Sequence, residues 1–348
     1  MSKLKLWKTL MVVSWLCLFA NTWLWIHFTR KNGTEIRSEP KLIIAAVIFR
    51  HGDRNPMETF PTDSNKDISW PGGWGVLTQV GMEQSYELGA YLRRRYALLL
   101  GDIRSDDIVN VQSSTLRRTK RSAAACLAGL FGKTKSDQIL NSDLSWLSIP
   151  IHRVPQNEDY ILYPGKKCPR YAHAIDEYLK SPQFIALMAR HKEMFHLPAW
   201  GVEALEHGDL KWAADHAYEV RTTLLARLYA GFLIREIVEQ LQQKVDGSLS
   251  PDRSLFLYSG SGFAIVKVLN ALQLFDAHEP PYGSSLHFEV YSSNDEYHMQ
   301  IIYRNTDDEN PCPLEIPSCG AKCSLEQFKS IYSAIIPTGT FDEECELS

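Results

Sequence analysis

Within Arg50-His51-Gly52-Asp53-Arg54-Asn55-Pro56 the chain gathers two guanidinium groups and an imidazole. The heptapeptide follows the apolar run from Leu42 to Phe49, whose length and composition are those of a buried strand. Such a strand delivers the three groups to the carboxyl end of a sheet, where α/β proteins bind ligands. Imidazole is a nucleophile. Arg50 and Arg54 present planar, paired donors that keep their charge at any relevant pH and can close a fork around a tetrahedral dianion. The chemistry that these residue types fit is attack on a phosphoryl group by His51. Gly52 allows a tight turn and Pro56 ends the loop. A basic surface loop with an ordinary histidine has a similar composition, but a seven-residue run after a strand is far more specific than that.

The rest of the composition narrows the ligand. The chain has 348 residues, 45% hydrophobic and 22% charged, enough for one large core or a core with a small cap. A formal net charge of −4 provides no field for a polyanion, so nucleic acid is not an expected partner. A local arginine cluster in an acidic protein points to a small anion instead.

The elements that must position the cluster alternate between strand and helix. After the first strand, Thr78 to Leu100 reads as a helix with apolar positions Val80, Leu88, Tyr91, Leu92 and Leu98. A strand at Ile108 to Val111 follows, then a helix from about Thr115. Leu255 to Tyr258 is a further buried strand with a helix from Phe263 to Phe275 behind it. Ser285 to Ser292 and Tyr297 to Tyr303 form an antiparallel hairpin around Asn294, Asp295 and Glu296. The pattern predicts an α/β fold with a mixed, mainly parallel sheet covered by helices on both faces. Arg118 follows the second strand and therefore belongs at the same sheet end as the heptapeptide, whereas Arg117, Lys120 and Arg121 read as a solvated helix face. Residues 72–75, glycine-rich around Trp74, lack the lysine and serine of a phosphate loop and read as a flexible pocket rim. His207-Gly208-Asp209 repeats three letters of the heptapeptide without flanking arginines and is set aside. The remaining histidines lack metal spacing, so no metal and no cofactor are expected.

The heptapeptide resembles the signature Arg-His-Gly-x-Arg-x-Pro of the histidine acid phosphatase family, of the phosphoglycerate mutase-like superfamily. The likeness extends through Phe60 to Asp63, Ser69 to Pro71, Leu77 to Gln84, Cys168 to Arg170, Leu197 to Trp200, Pro280 to Tyr282 and Tyr303 to Asn305, segments similar to those of animal prostatic and lysosomal acid phosphatases. It implies that His51 forms a phosphohistidine, that Arg50, Arg54 and Arg118 bind phosphate, that a small phosphomonoester is the substrate and that the chain forms a homodimer. It also implies bridges from Cys168 to Cys345 and from Cys319 to Cys323. Cys126 reads as a buried small hydrophobe, and Cys312 has no named partner. A third family bridge is missing, with Ser285 at one of its positions. Between Ala174 and Gln243 the pattern is helical, but a few dozen family residues are absent, which implies a reduced cap over residues 174–243.

One departure touches the chemistry directly. Where the family reads Tyr-Ser-Ala-His-Asp-Thr, this chain reads Tyr258-Ser259-Gly260-Ser261-Gly262-Phe263. The family histidine and its general-acid aspartate are replaced by Ser261 and Gly262, and neither donates a proton at acidic or neutral pH. As structural residues, Ser261 reads as the N-cap of the next helix and Gly262 as slack in the turn. Two functions therefore stay open: a phosphomonoester hydrolase of weakened turnover, with another carboxyl such as Asp53 as a candidate donor, or an inactive relative that binds phosphorylated ligands or acts as a secreted or surface interaction protein.

The N-terminus reads as a targeting element. Lys3, Lys5 and Lys8 precede an apolar stretch from Thr9 to Phe28 of membrane-spanning length. Its length favours an uncleaved signal anchor over residues 1–28, while Ala20 offers a weak cleavage site for a signal peptide. Residues 29–40 read as a polar stem with a glycosylation sequon at Asn32, leaving residues 41–348 as a lumenal or extracellular domain that is anchored, secreted or lysosomal.

Overall fold

The computed structural model describes residues 39–59, 62–101, 107–132, 149–162, 167–186, 222–276, 278–294 and 296–347. The signal segment, Asn32, most of the stem and the His207 tripeptide lie outside the described residues, as does 187–221 of the expected cap. Among the described residues no helix is long and apolar enough to cross a membrane.

A five-stranded sheet of order β2-β3-β1-β4-β5 organises the compact unit formed by Lys41–Ser292 and Glu296–Ser348. Its strands are β1 (Lys41–Arg50), β2 (Val109–Ser113), β3 (Leu255–Gly260), β4 (Ser285–Ser293) and β5 (Glu296–Arg304). β1 and β2 both run parallel to β3, and β4 pairs antiparallel with β1, so the sheet is mixed. The parallel half carries the chemistry-bearing loops. Register sets Arg50 beside Gly260 and Ser113 beside Ser259, so β1, β2 and β3 end together.

The apolar run of β1 lacks alternation because both faces of the strand are covered. Ile44, Ala46 and Ile48 point into one core, and Ala45, Val47 and Phe49 into the other. Helices α1 (Gln79–Arg95), α2 (Ala97–Leu100) and α3 (Arg117–Phe131) serve the second core through Leu88, Tyr91, Leu92, Leu100, Ala123 and Leu127. The first core takes α6 (Gly231–Val245) and α7 (Gly262–Ala271) through Phe232, Ile237, Ile265 and Val268. Helices α4 (Pro169–Leu179) and α5 (Thr223–Tyr229) flank the undescribed part of the cap, and α8 (Leu325–Ile331) and α9 (Phe341–Cys345) close the chain.

The expected single helix from Thr78 to Leu100 divides at Tyr96, and its apolar positions Val80 and Leu98 are exposed rather than in the core. The break has a cause in β4. Tyr96 and Arg95 turn inward to Glu289, whose carboxylate takes Arg95 Nε at 2.6 Å, Arg95 Nη2 at 2.9 Å and the Tyr96 hydroxyl at 2.8 Å. Beside it, fully buried His287 lies between Tyr96 Oη at 2.7 Å and Ser285 Oγ at 2.8 Å. The tyrosine hydroxyl donates to Glu289, so His287 Nδ1–H donates to the tyrosine and Nε2 accepts from Ser285. Ser285, at the missing bridge position, is thus used by the core as a hydrogen-bond donor.

Two disulfides tie the C-terminal segment, Cys168 to Cys345 and Cys319 to Cys323; Cys126 is a buried free thiol and Cys312 an exposed one. In the chain-entropy picture the separation of 177 residues restrains the unfolded chain by roughly 5 kcal/mol, against roughly 2 kcal/mol for the separation of 4. Replacing Cys168 and Cys345 together by alanine should therefore lower the denaturant midpoint more than the same change at Cys319 and Cys323; equal losses would contradict this.

Burial pushes the His287 imidazole down from 6.5 to about 3, with the charges of Arg95 and Arg304 acting in the same direction and Glu289 against them. The unfolded chain then binds a proton that the folded state refuses. The stability involved is complete above about pH 6.5 and is lost as pH falls toward about 3, at up to about 1.4 kcal/mol per pH unit. The melting temperature should fall between about pH 6.5 and pH 5, above the carboxylate range, and His287→Asn should reduce that slope in a thermal scan across pH without abolishing it, because buried His51 is shifted in the same direction.

Candidate active site

The heptapeptide leaves the sheet while still hydrogen-bonded to both neighbours of β1. Arg50 N–H donates to Ser284 O at 3.0 Å and His51 N–H to Gly260 O at 3.0 Å. The turn that follows lies directly on the start of α1. A Cβ on Gly52 would stand 1.9 Å from Gly81 O, and one on Gly81 would stand 2.1 Å from Asp53 O, so only glycine fits at this contact. The backbone N–H of Asp53 donates to Gln84 Oε1 at 2.8 Å, and its carboxylate accepts from the Thr78 hydroxyl at 2.6 Å. Thr78 is the N-cap of α1 and accepts from Gly81 N. Asp53 is therefore committed to holding the loop on the helix.

Asn55 fixes the rim. Its Nδ2 donates to Pro71 O and Gly73 O, each at 2.8 Å, while Gly75 N donates to Pro56 O at 2.8 Å. The glycine-rich turn is thus pinned to the heptapeptide at several points. A Cβ on Gly75 would lie 3.6 Å from Arg118 Nη1, so the turn closely borders that guanidinium.

His51 is 2% exposed. Its Nδ1 lies 2.7 Å from the carbonyl of Gly52, which can only accept, so Nδ1 carries the proton and Nε2 keeps its lone pair. Arg118 Nε–H points at that lone pair from 3.0 Å. Burial lowers the pKa of the imidazole to about 3, helped by the positive charges of Arg118, Arg50 and Arg54 and opposed by the hydrogen bond to Gly52. His51 accordingly stays neutral well into the acid range. Of the remaining guanidinium groups, half-buried Arg54 donates to its neighbour Asn55 O at 3.1 Å, and Arg117 is exposed as expected.

Arg50 has partners of its own. Its Nη2 pairs with Glu279 Oε1 at 2.9 Å, Nη1 donates to Pro280 O, and the guanidinium lies 4.0 Å over the ring of Tyr282. Tyr282 in turn faces His51, with ring centroids 5.8 Å apart. Ser261 occupies the N-cap position of α7, as expected, but its side chain makes no capping bond. Gly262 is not slack in a turn either. It is the first helical residue, and a Cβ there would lie 3.0 Å from Arg50 Cδ and 3.1 Å from Arg50 Nε. Its bareness leaves room for the Arg50 side chain.

The structure thus brings His51, Arg50, Arg54, Arg118, Ser261 and Gly262 to one sheet end. Sequence reasoning missed Glu279 and Tyr282. The available signals were the resemblance of the segment from Pro280 to Tyr282 to the family and the place of both residues just before β4, the strand that pairs with β1. Among the described residues no group of three or more histidine, cysteine or acidic side chains is placed to hold a metal ion.

Comparison with known proteins gives the arrangement a lineage. The model of the histidine phosphatase superfamily (branch 2) matches residues 41–220 and 203–304. The chain is 32% identical over 336 residues to the prostatic acid phosphatase of Homo sapiens, covering 85% of this chain and 86% of that protein. It is 32% identical over 345 residues to the lysosomal acid phosphatase of Rattus norvegicus, covering 88% and 81%. Among solved structures, the phytase from Citrobacter braakii superposes with a TM-score of 0.64 at 17% identity, over 88% of this chain and 100% of that one, a likeness of fold. The sheet order, the heptapeptide at the end of β1 and these matches have one reading: the chain belongs to branch 2 of the histidine phosphatase superfamily.

Proposed function

We propose that this protein is a phosphomonoester hydrolase in which His51 Nε2 is the nucleophile and Arg50, Arg54 and Arg118 bind the phosphoryl oxygens. The single observation that carries the reading is the buried, neutral His51, its proton fixed on Nδ1 and its Nε2 lone pair facing Arg118. In the proposed reaction Nε2 attacks phosphorus, the bond from phosphorus to the ester oxygen breaks, and the alcohol leaves as its anion. Water then attacks the phosphohistidine and frees phosphate, returning His51 to its neutral form.

Departure of the alcohol is the step this chain handles differently. General acid catalysis contributes roughly 10² to 10⁴ in rate, and neither Ser261 nor Gly262 supplies it. Asp53, tied to Thr78, is a poor substitute. Leaving groups that depart as stable anions need no proton, so the preferred substrates are aryl or similarly activated phosphates. The alternative of a relative that binds phosphorylated ligands without turnover is favoured by one observation, the loss of both donor side chains at Ser261 and Gly262. The two disulfides fit an oxidising compartment, and with the apolar N-terminal stretch they support a lumenal or extracellular site of action.

Purified protein should hydrolyse an aryl phosphate measurably and an alkyl phosphate far more slowly, and His51→Ala should abolish both. Binding of phosphate without turnover of either ester would favour the alternative. Because His51 stays neutral down to about pH 3, kcat/KM for the aryl phosphate should show no loss from histidine protonation between pH 6 and about pH 4. A fall along a limb near pH 6.5 would contradict the burial of the nucleophile. The double change Ser261→His with Gly262→Asp should raise alkyl-phosphate hydrolysis by something on the order of 10², provided Arg50 yields the space beside residue 262.

A further inference from the structure

Arg50 is 6% exposed, and both of its terminal nitrogens are already engaged, one by the Glu279 carboxylate and one by the Pro280 carbonyl. Its Nε is buried with no hydrogen-bond partner. A guanidinium that leaves one buried donor unmatched while bound by an acidic side chain sits in a compromise position, since such an orphan costs free energy that a fully paired arrangement would recover. Three features define that position. The Tyr282 ring supports the guanidinium from 4.0 Å. Glu279, whose side chain is 46% exposed, reaches in from the solvent side. Gly262 presents no side chain where one would lie 3.0 to 3.5 Å from Arg50 Cδ, Nε and Cζ.

We propose that Glu279 is an intramolecular competitor for the anion of the site: its carboxylate holds Arg50 in a parked position that Gly262 leaves open, and a phosphoryl group must displace it to recruit that arginine. This rests on the reading of Arg50 as part of the phosphate clamp. A carboxylate mimics two oxygens of a phosphate and matches the same planar donors, so occupation of Arg50 by Glu279 and by phosphate is mutually exclusive at the shared nitrogen. The consequence is weaker ground-state binding of phosphate, both as substrate and as product. Glu279 is a positioning residue in this scheme and makes no contact with the reacting atoms.

Titration calorimetry of the full chain with inorganic phosphate tests this without relying on turnover. Glu279→Gln should bind phosphate about fivefold more tightly than the wild type, the size of one partly exposed ion pair. In an Arg50→Ala background the same substitution should give no gain, because the competition acts through Arg50. Equal affinity of wild type and Glu279→Gln would overturn the competition while leaving the clamp intact. A gain that persists without Arg50 would reduce Glu279 to a general negative field and overturn it as well. Absence of phosphate binding in every variant would overturn the clamp and the competitor together, whereas loss of hydrolysis in a protein that binds phosphate as described would count only against the proposed catalysis.

Discussion

Three guanidinium groups converge on one buried imidazole, and that concentration of like charge is the constraint around which the rest is arranged. Burial removes the water that would solvate an imidazolium, and the arginine charges act in the same direction, so His51 is kept neutral far below the ordinary histidine range. The arginines find partners within the protein. Arg118 donates to the histidine lone pair, and Arg50 turns to Glu279, a backbone carbonyl and an aromatic face. The scaffold is rigid where these groups are mounted. Parallel strands end in register, the backbone of the loop rests on α1 through Gly52 and Gly81, and Asn55 clamps the rim.

Which parts of this were legible in the sequence follows from the range of the interactions. The heptapeptide announced itself because its chemistry is local and its strand is apolar without a break from Leu42 to Phe49, a consequence of two cores meeting at β1. The strand and helix alternation likewise exposed the α/β fold and the common sheet end of Arg118 and His51. What could not be read was the partner of Arg50, because Pro280 lies 230 residues further along the chain and reaches β1 only through the pairing of β4. The break at Tyr96 was hidden for the same reason, since its cause is Glu289 on a strand far away in sequence. Ser261 and Gly262 show a different limit. Their types announced the lost proton donor, but only the packing reveals that Gly262 makes room for an arginine.

That packing links position 262 to the pose of Arg50. A Cβ at position 262 would stand 3.0 Å from Arg50 Cδ and 3.1 Å from Arg50 Nε, so a side chain there requires Arg50 to shift from its present pose. On the proposed reading, the site keeps the parts that suit attack on phosphorus and lacks those that suit departure of a poor leaving group. A reaction of this kind is governed by the leaving oxygen, and substrate choice then follows from the acidity of the released alcohol more than from the shape of the pocket.

The central claim is that His51 itself becomes phosphorylated. Rapid acid-free quenching of the protein during turnover of an aryl phosphate, followed by peptide mass spectrometry, reads this directly. The account predicts a phosphoryl adduct on the peptide carrying His51, located on that imidazole and removed on further incubation as phosphate is released. Sustained hydrolysis with no adduct at His51, or with the adduct on another side chain, would contradict it.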